Sequence, residues 1–185
     1  ARPKLFGLLI TAAIGVSATV TTVASDTWGD ERLLAEMLYI EQPQSVRAAQ
    51  QLTSFYAQDR NPPGALAVIR QSKERMPDRD VFHFMQTLIE CSFYFDSVES
   101  FDRLIELAKD AEYERYVLDI VTQFRLQIGT GCDGELTEAR FEKLIRNLID
   151  NPNYNQRTRT LAFLYAQLAK IEIRRGNSSE AYEHL

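Results

Sequence analysis

Apolar side chains recur every three or four residues along most of the chain from Asp30 onward, which is the spacing of one buried face of an α-helix. Prolines at 43, 77 and 152 and the Gly176-Asn177 pair interrupt this spacing, as expected at helix ends. Alternation with the two-residue period of a strand is almost absent. The pattern therefore predicts an all-α domain of helix pairs over residues 26–185, with helices near residues 30–41, 45–58, 61–76, 80–94, 96–108, 111–128, 136–149, 155–175 and 178–185.

Residues 5–24 show a different pattern, an uncharged run of 20 residues, which is about the length that crosses a hydrocarbon core as a helix. Arg2 and Lys4 precede this run and Asp26 follows it. Because basic flanks stay in the cytoplasm, this asymmetry predicts a cytoplasmic N-terminus and places the rest of the chain outside. We therefore predict that residues 1–25 are a transmembrane helix or signal anchor. A cleaved secretory signal peptide and a buried core helix are the alternatives.

Small residues lie four positions apart on the predicted transmembrane helix, at Thr11, Gly15 and Thr19. Such a stripe lets a second membrane helix approach closely, so residues 5–24 are also candidates for packing on other membrane helices. Small-residue spacings are common by chance, and an anchor that contacts only lipid is the equal alternative.

Charge and motif content narrow the possible functions. The formal net charge is −5, and an acidic chain repels phosphate backbones, so no nucleic-acid partner is expected. The triplet Asp78-Arg79-Asp80 fits the Asp-x-Asp pattern that holds a divalent cation in nucleotide-sugar transferases, but its place before a helix favours Asp80 as an N-cap. His83 and His184 have no Cys or His at zinc-ligand spacing. We therefore expect no catalytic residue, no metal and no cofactor, and nothing marks this chain as an enzyme.

The sequence contains two cysteines, Cys91 and Cys132, which the predicted topology would place in an oxidising compartment. They lie in different predicted elements, so the distance between them does not follow from the sequence. We expect two buried free thiols, and a disulfide between them is the alternative.

One stretch of the chain resembles the tetratricopeptide repeat. The residues that carry the resemblance are Leu52, Tyr56, Ala65, Ile69 and Pro77, at offsets 0, 4, 13, 17 and 25. A large apolar residue, an aromatic residue one turn later, a small residue at the helix crossing and a terminal proline match the repeat in type and spacing. The chain resembles this family over residues 45–185, with degenerate repeats after the first. The resemblance implies antiparallel helix pairs stacked into a superhelix whose concave face binds peptides or partner proteins.

The junction after the predicted membrane helix resembles a second family. Residues 26–34, Asp-Thr-Trp-Gly-Asp-Glu-Arg-Leu-Leu, and residues 42–48, Gln-Pro-Gln-Ser-Val-Arg-Ala, are similar to a segment of O-antigen polymerase-like and ligase-like proteins. In those proteins, this segment joins the last membrane helix to an extracytoplasmic tetratricopeptide tail. The resemblance implies a bacterial inner-membrane location, a mainly periplasmic chain and a role in cell-surface glycan synthesis. Catalysis would then reside in membrane segments outside this sequence.

The tetratricopeptide resemblance also implies where a partner binds, because the first helix of each pair lines the concave face in that family. The implied binding surface for a protein or peptide consists of Gln50, Ser54, His83, Gln86, Glu90, Lys170 and Arg174. We predict a membrane-anchored binding or scaffolding module of a bacterial envelope assembly. The alternatives are the non-catalytic tail of a membrane glycan polymerase or ligase, and a secreted soluble binding protein.

Overall fold

The computed structural model describes residues 14–22, 25, 29–93 and 98–177. These residues form helices and connecting turns, with no strand among them, which confirms the prediction of an all-α fold. The helices from residue 31 onward are α1 (Glu31–Glu41), α2 (Val46–Gln58), α3 (Pro62–Arg75), α4 (Val81–Ser92), α5 (Val98–Leu107), α6 (Arg115–Leu126), α7 (Glu138–Asp150), α8 (Pro152–Asn155) and α9 (Thr158–Arg175).

The predicted transmembrane helix lies largely outside the described residues. Residues 14–22 are helical, and the hydroxyl of Thr19 donates to the backbone oxygen of Gly15, one turn earlier. Thr11, the third member of the small-residue stripe, is not among the described residues. Within the part of the chain that the structure describes, no helix combines the length and apolar character needed to cross a membrane.

The first three labelled helices begin where the sequence predicts. Asp30 caps α1 by accepting from the backbone amides of residues 32 and 33, each at 3.0 Å. Ser45 caps α2 through the amide of Ala48 at 3.2 Å, and Asn61 caps α3 through the amide of Gly64 at 3.0 Å. Each cap satisfies amides that lack a partner inside the helix, so these side chains set the helix starts.

The α2/α3 pair is held by close packing of small residues. Ala49 on α2 and Ala65 on α3 are both fully buried. A side-chain carbon added to Gly64 would lie 2.8 Å from a ring carbon of Tyr56, so the aromatic ring leaves no space for a larger residue there. The α1 helix packs on α2, and the Tyr39 hydroxyl lies 3.2 Å from the Ser72 hydroxyl of α3. These helices therefore form a compact N-terminal unit.

The helices after α3 also pack on near neighbours in the chain. The α4 helix contacts α3, α5 and α6, and α5 contacts α7. The α7 helix in turn packs against α8 and α9. This order of contacts places alternate helices α4 and α6 side by side, and α5 and α7 side by side.

The long helix predicted over residues 111–128 is shorter in the structure, because α6 begins only at Arg115. Side chains at and after the junction of α7 and α8 instead form hydrogen bonds with the backbone of residues 111 and 112. The backbone oxygen of Ala111 accepts hydrogen bonds from the amide groups of Asn151 and Asn153, at 2.9 and 3.2 Å. The Tyr154 hydroxyl donates to the backbone oxygen of Glu112 at 3.1 Å. These contacts fix residues 111–114 in a non-helical conformation.

Asp80 occupies the N-cap position of α4, as predicted, but its side chain makes no capping hydrogen bond. Its Oδ2 atom instead accepts from the backbone amide of Glu112 at 3.0 Å. The expected cap is therefore wrong in its chemistry, because the adjacent segment before α6 supplies a donor for the carboxylate.

The expectation of two free thiols is also wrong, because Cys91 and Cys132 form a disulfide in the structure. The loop of residues 127–135 returns to the C-terminal end of α4, and the amide of Cys132 donates to the backbone oxygen of Cys91 at 2.9 Å. Gly129 and Gly134 have φ values of +85° and +82°, a backbone conformation that favours glycine. The fold of this loop therefore brings together two cysteines that are 41 positions apart.

Candidate functional site

The first candidate site is a groove between the alternate helices α2, α4 and α6, with a volume of about 370 Å³. We call it the amide groove, because four glutamines contribute to its walls. Its polar lining is mostly exposed or half-buried, whereas Met85, Ile89 and Ile120 beneath it are buried. The lining residues are Gln50, Thr53, Ser54, Ala57, Gln58, Met85, Leu88, Ile89, Ser92, Asp119, Ile120, Gln123 and Gln127.

A chain of hydrogen bonds closes one end of the amide groove, beside the disulfide. The Gln127 side-chain amide donates to the Ser92 hydroxyl at 2.6 Å, and this hydroxyl donates to the backbone oxygen of Leu88 at 2.6 Å. The Oε1 atom of Gln127 and the hydroxyl oxygen of Thr53 are buried without a hydrogen-bond partner among the described residues. The wall of the groove therefore holds polar atoms that the fold does not satisfy.

The second candidate site lies on the other side of α4, between α3, α4 and α5, and has a volume of about 330 Å³. We call it the charged cleft, because cationic and anionic side chains line it together. Its residues are Lys73, His83, Gln86, Thr87, Glu90, Ser100, Arg103, Leu104 and Leu107.

A polar relay crosses the charged cleft. The Lys73 ammonium lies 3.2 Å from His83 Nδ1 and donates to Gln86 Oε1 at 3.1 Å. The other end of the Gln86 amide donates to Glu90 Oε1 at 2.7 Å, while Glu90 Oε2 is buried without a partner in the described chain. Gln86 therefore stands between the ammonium and the carboxylate.

Burial and charge act together on the two basic groups of this relay. Desolvation lowers the pKa of Lys73, the Glu90 charge raises it, and the Arg103 charge lowers it by a smaller amount. Desolvation and the Lys73 charge likewise lower the pKa of His83, against a smaller raising effect of Asp80. At neutral pH the arrangement therefore combines a cationic Lys73 with a neutral His83 that can accept its hydrogen bond.

The structure does not bring the seven predicted binding residues onto one surface. Gln50 and Ser54 line the amide groove, whereas the predicted residues of α4, at 83, 86 and 90, line the charged cleft. Lys170 is exposed on α9, and Arg174 on the same helix lies 3.6 Å from Glu138 of α7. At about 100° per residue, positions 83, 86 and 90 project from a different side of α4 than positions 85, 88 and 92. The predicted set therefore combines α2 residues of the amide groove with α4 residues of the charged cleft.

Sequence reasoning missed the residues that complete both sites. Lys73 on α3 and Arg103 on α5 belong to the second helix of each predicted pair, which the repeat register assigns to the convex side. Asp119 and Gln123 belong to α6, where the repeat pattern is too weak to give a register. Among the described residues, no group of three or more His, Cys, Asp or Glu side chains is arranged to hold a metal ion.

Comparison of the chain with protein-family models, with characterised proteins and with solved structures finds no match. The tetratricopeptide and O-antigen polymerase-like resemblances therefore stay predictions from the sequence.

Proposed function

We propose that this chain is a binding module that holds an extended segment of a partner protein in the amide groove. The observation that carries the proposal is the composition of a groove built by three alternate helices: amide and hydroxyl groups lie above buried apolar side chains. Glutamine side chains provide both donors and acceptors, which suits the alternating N–H and C=O groups of an extended peptide. The apolar residues beneath them can accept the side chains of that peptide.

The charge of the amide groove limits the kind of segment that it fits. Asp119 is the one ionisable side chain among the residues that line it, and this carboxylate is exposed. A neutral segment, or one with a single basic residue opposite Asp119, can enter without an unfavourable charge contact. An acidic segment would place like charges together. The favoured occupant is therefore an uncharged or weakly basic peptide segment.

We also propose an extracytoplasmic location, with residues 5–24 as an inner-membrane anchor and the N-terminus in the cytoplasm. The Cys91–Cys132 disulfide supports an oxidising compartment, because structural disulfides persist mainly outside the cytosol. The flanking charges of the anchor support the same orientation. On this proposal the module acts in a bacterial envelope assembly, with cell-surface glycan synthesis as its setting.

The groove proposal is tested by selecting peptides from a random library on the wild-type chain and measuring their affinity for two arginine variants. Ser54 is exposed in the amide groove, so Ser54→Arg should block the groove with little effect on folding. Ala162 is exposed on α9, away from the groove, so Ala162→Arg is the matched control. We expect selected peptides to lose about tenfold or more in affinity for Ser54→Arg and none for the control. Equal affinity for all three proteins would refute the groove as the binding site.

The setting is tested separately by capturing the chain from its native envelope and identifying the co-purified molecules by mass spectrometry. Glycan-assembly enzymes or lipid-linked sugars should be recovered, and detergent should be needed to extract the chain. Recovery of unrelated envelope proteins would remove the glycan setting and keep the binding module. A chain extracted without detergent and lacking residues 1–24 would instead show a secreted protein.

A further inference from the structure

Two cationic side chains line the charged cleft, and peptide binding in the amide groove does not explain their presence there. Lys73 from α3 and Arg103 from α5 both line the cleft. The hydrogen bonds of Lys73 go to the neutral acceptors His83 and Gln86. Arg103 donates to the backbone oxygen of Glu99 at 3.2 Å and to the Ser100 hydroxyl at 3.4 Å. Neither cation forms an ion pair within the described residues.

The Arg103 charge repels the Lys73 ammonium, although Glu90 attracts it more strongly. The Arg103 charge contributes to lowering the pKa of Lys73, in addition to the desolvation of the ammonium. In the empty cleft this repulsion opposes the attraction that Glu90 exerts on Lys73. An oxyanion between them would relieve this repulsion and accept charge-assisted hydrogen bonds from both.

The one carboxylate in the cleft is held away from this position. Glu90 accepts from the Gln86 amide at 2.7 Å, and its second oxygen is buried. Gln86 presents its own oxygen to Lys73, so the side-chain amide separates the negative end of the cleft from the positive end. Glu90 still attracts the Lys73 charge, but no carboxylate among the described residues forms an ion pair with either cation at this end of the cleft.

The wall that α5 contributes next to Arg103 is apolar. Leu104 is buried and Leu107 is half-buried, and both line the cleft. A ligand that is only an inorganic ion would leave this wall uncovered, whereas an organic acid would place hydrocarbon against it. The volume of about 330 Å³ is within the range of small-molecule sites.

We propose that the charged cleft binds a small organic carboxylate, with the carboxylate group between Lys73 and Arg103 and the apolar part against the leucines of α5. This site lies on the opposite side of α4 from the amide groove, and it does not depend on the peptide-binding proposal. Ser100 and His83 supply further polar groups at the cleft for hydrogen bonds to the ligand.

The test is calorimetric titration of the full chain with benzoate, benzyl alcohol and inorganic phosphate. Benzoate should bind, benzyl alcohol should not because it lacks the anion, and phosphate should bind more weakly because it leaves the leucines uncovered. Lys73→Gln and Arg103→Gln should each weaken benzoate binding by about tenfold, the effect expected for losing one hydrogen bond to a charged group. Arg159→Gln removes an exposed charge on α9 and should leave the affinity unchanged.

Two further measurements keep the test independent of folding defects in these variants. Glu90→Gln removes the negative end of the cleft and should strengthen benzoate binding, which a merely structural role for Glu90 would not produce. In NMR titrations, bound benzoate should raise the pKa of His83, because the anion offsets the Lys73 charge that lowers it. No benzoate binding to the folded wild type, equal binding of benzyl alcohol, or phosphate binding as tight as benzoate would each overturn the proposal.

Discussion

The N-terminal helices α1–α3 and the C-terminal helices α5–α8 achieve similar burial by different means. In the first region, small residues such as Ala49 and Ala65 let helices that follow each other in the chain pack closely. In the second, polar side chains bind backbone groups about 40 positions away, as Asn147 does with the backbone oxygen of Ile105. Close packing of small residues is the more prominent feature of the first region, although Tyr39 and Ser72 form a hydroxyl contact there, whereas hydrogen bonds from side chains to distant backbone groups are prominent in the second. Different substitutions should therefore destabilise the two regions.

The disulfide joins α4, which lies between these two regions in the chain, to the loop before α7, and its removal should have the largest effect on stability. The bond closes a loop between residues 41 positions apart, for which chain entropy predicts a stabilisation of about 4 kcal/mol, with about 2–4 kcal/mol usually measured. We expect the double variant Cys91→Ser/Cys132→Ser to lose this amount in urea unfolding. Hydrogen exchange should accelerate most in the loop of residues 127–135 and in α7, and least in α2 and α3.

The control for this experiment is reductant, which should destabilise the wild type under unfolding conditions and leave the serine variant unchanged. A serine variant as stable as the oxidised wild type would mean that α4 and the loop of residues 127–135 stay packed without the covalent link.

Asn151 makes three of the hydrogen bonds that hold the C-terminal region. It is buried, its side-chain amide donates to the backbone oxygens of Ala108 and Ala111 at 3.0 and 2.9 Å, and its Oδ1 caps α8. We expect Asn151→Ala to lower the free energy of unfolding by about 2–3 kcal/mol, because two backbone oxygens lose a donor and the cap is removed.

Asn153→Ala is the matched control for this prediction, since Asn153 is exposed and donates only one of these bonds, to Ala111 at 3.2 Å. It should cost less than half as much. An equal loss in the free energy of unfolding for the two variants would show that Asn151 contributes no more to stability than Asn153.

The same contrast explains which features could be predicted from the sequence. Caps such as Ser45 and Asn61 act within four residues, so local pattern is sufficient to place the starts of α2 and α3. The shortened start of α6 and the disulfide arise from contacts about 40 positions apart, which no local pattern contains. The predicted binding surface combined residues of the amide groove and of the charged cleft for a related reason. Amphipathic spacing identifies the buried face of α4, but it does not say which neighbouring helix borders each flank of that face.

A volume change at Ala65 tests the N-terminal region in the complementary way. The side chain is fully buried in the closely packed α2/α3 pair. Ala65→Trp should overfill this contact and destabilise the chain by about 1–3 kcal/mol. Ala67→Trp, at an exposed position on the same helix, controls for the helix propensity of tryptophan and should change stability by less than about 0.5 kcal/mol. An unchanged melting temperature for Ala65→Trp would remove the helix crossing that the tetratricopeptide resemblance implies.

The smallest expected effect is a pH dependence of stability. It separates the two regions because, among the described residues, the histidine contact is the one between Lys73 of α3 and His83 of α4. The lowered pKa of His83 means that folding favours its neutral form, mainly through desolvation and then through Lys73. Its contribution to stability is therefore complete above the unfolded value of about 6.5 and is lost as the pH falls through the lower folded value. Solvent screening of this exposed side chain keeps the effect below about 1 kcal/mol.

The stability difference between wild type and His83→Gln, measured by urea unfolding, should shift against the wild type as the pH falls below about 6.5. A difference that stays constant over this pH range would show that the α3–α4 contact does not depend on the protonation of His83. The amide contacts around Asn151 contain no group that titrates there, so Asn151→Ala should cost the same at both ends of the range.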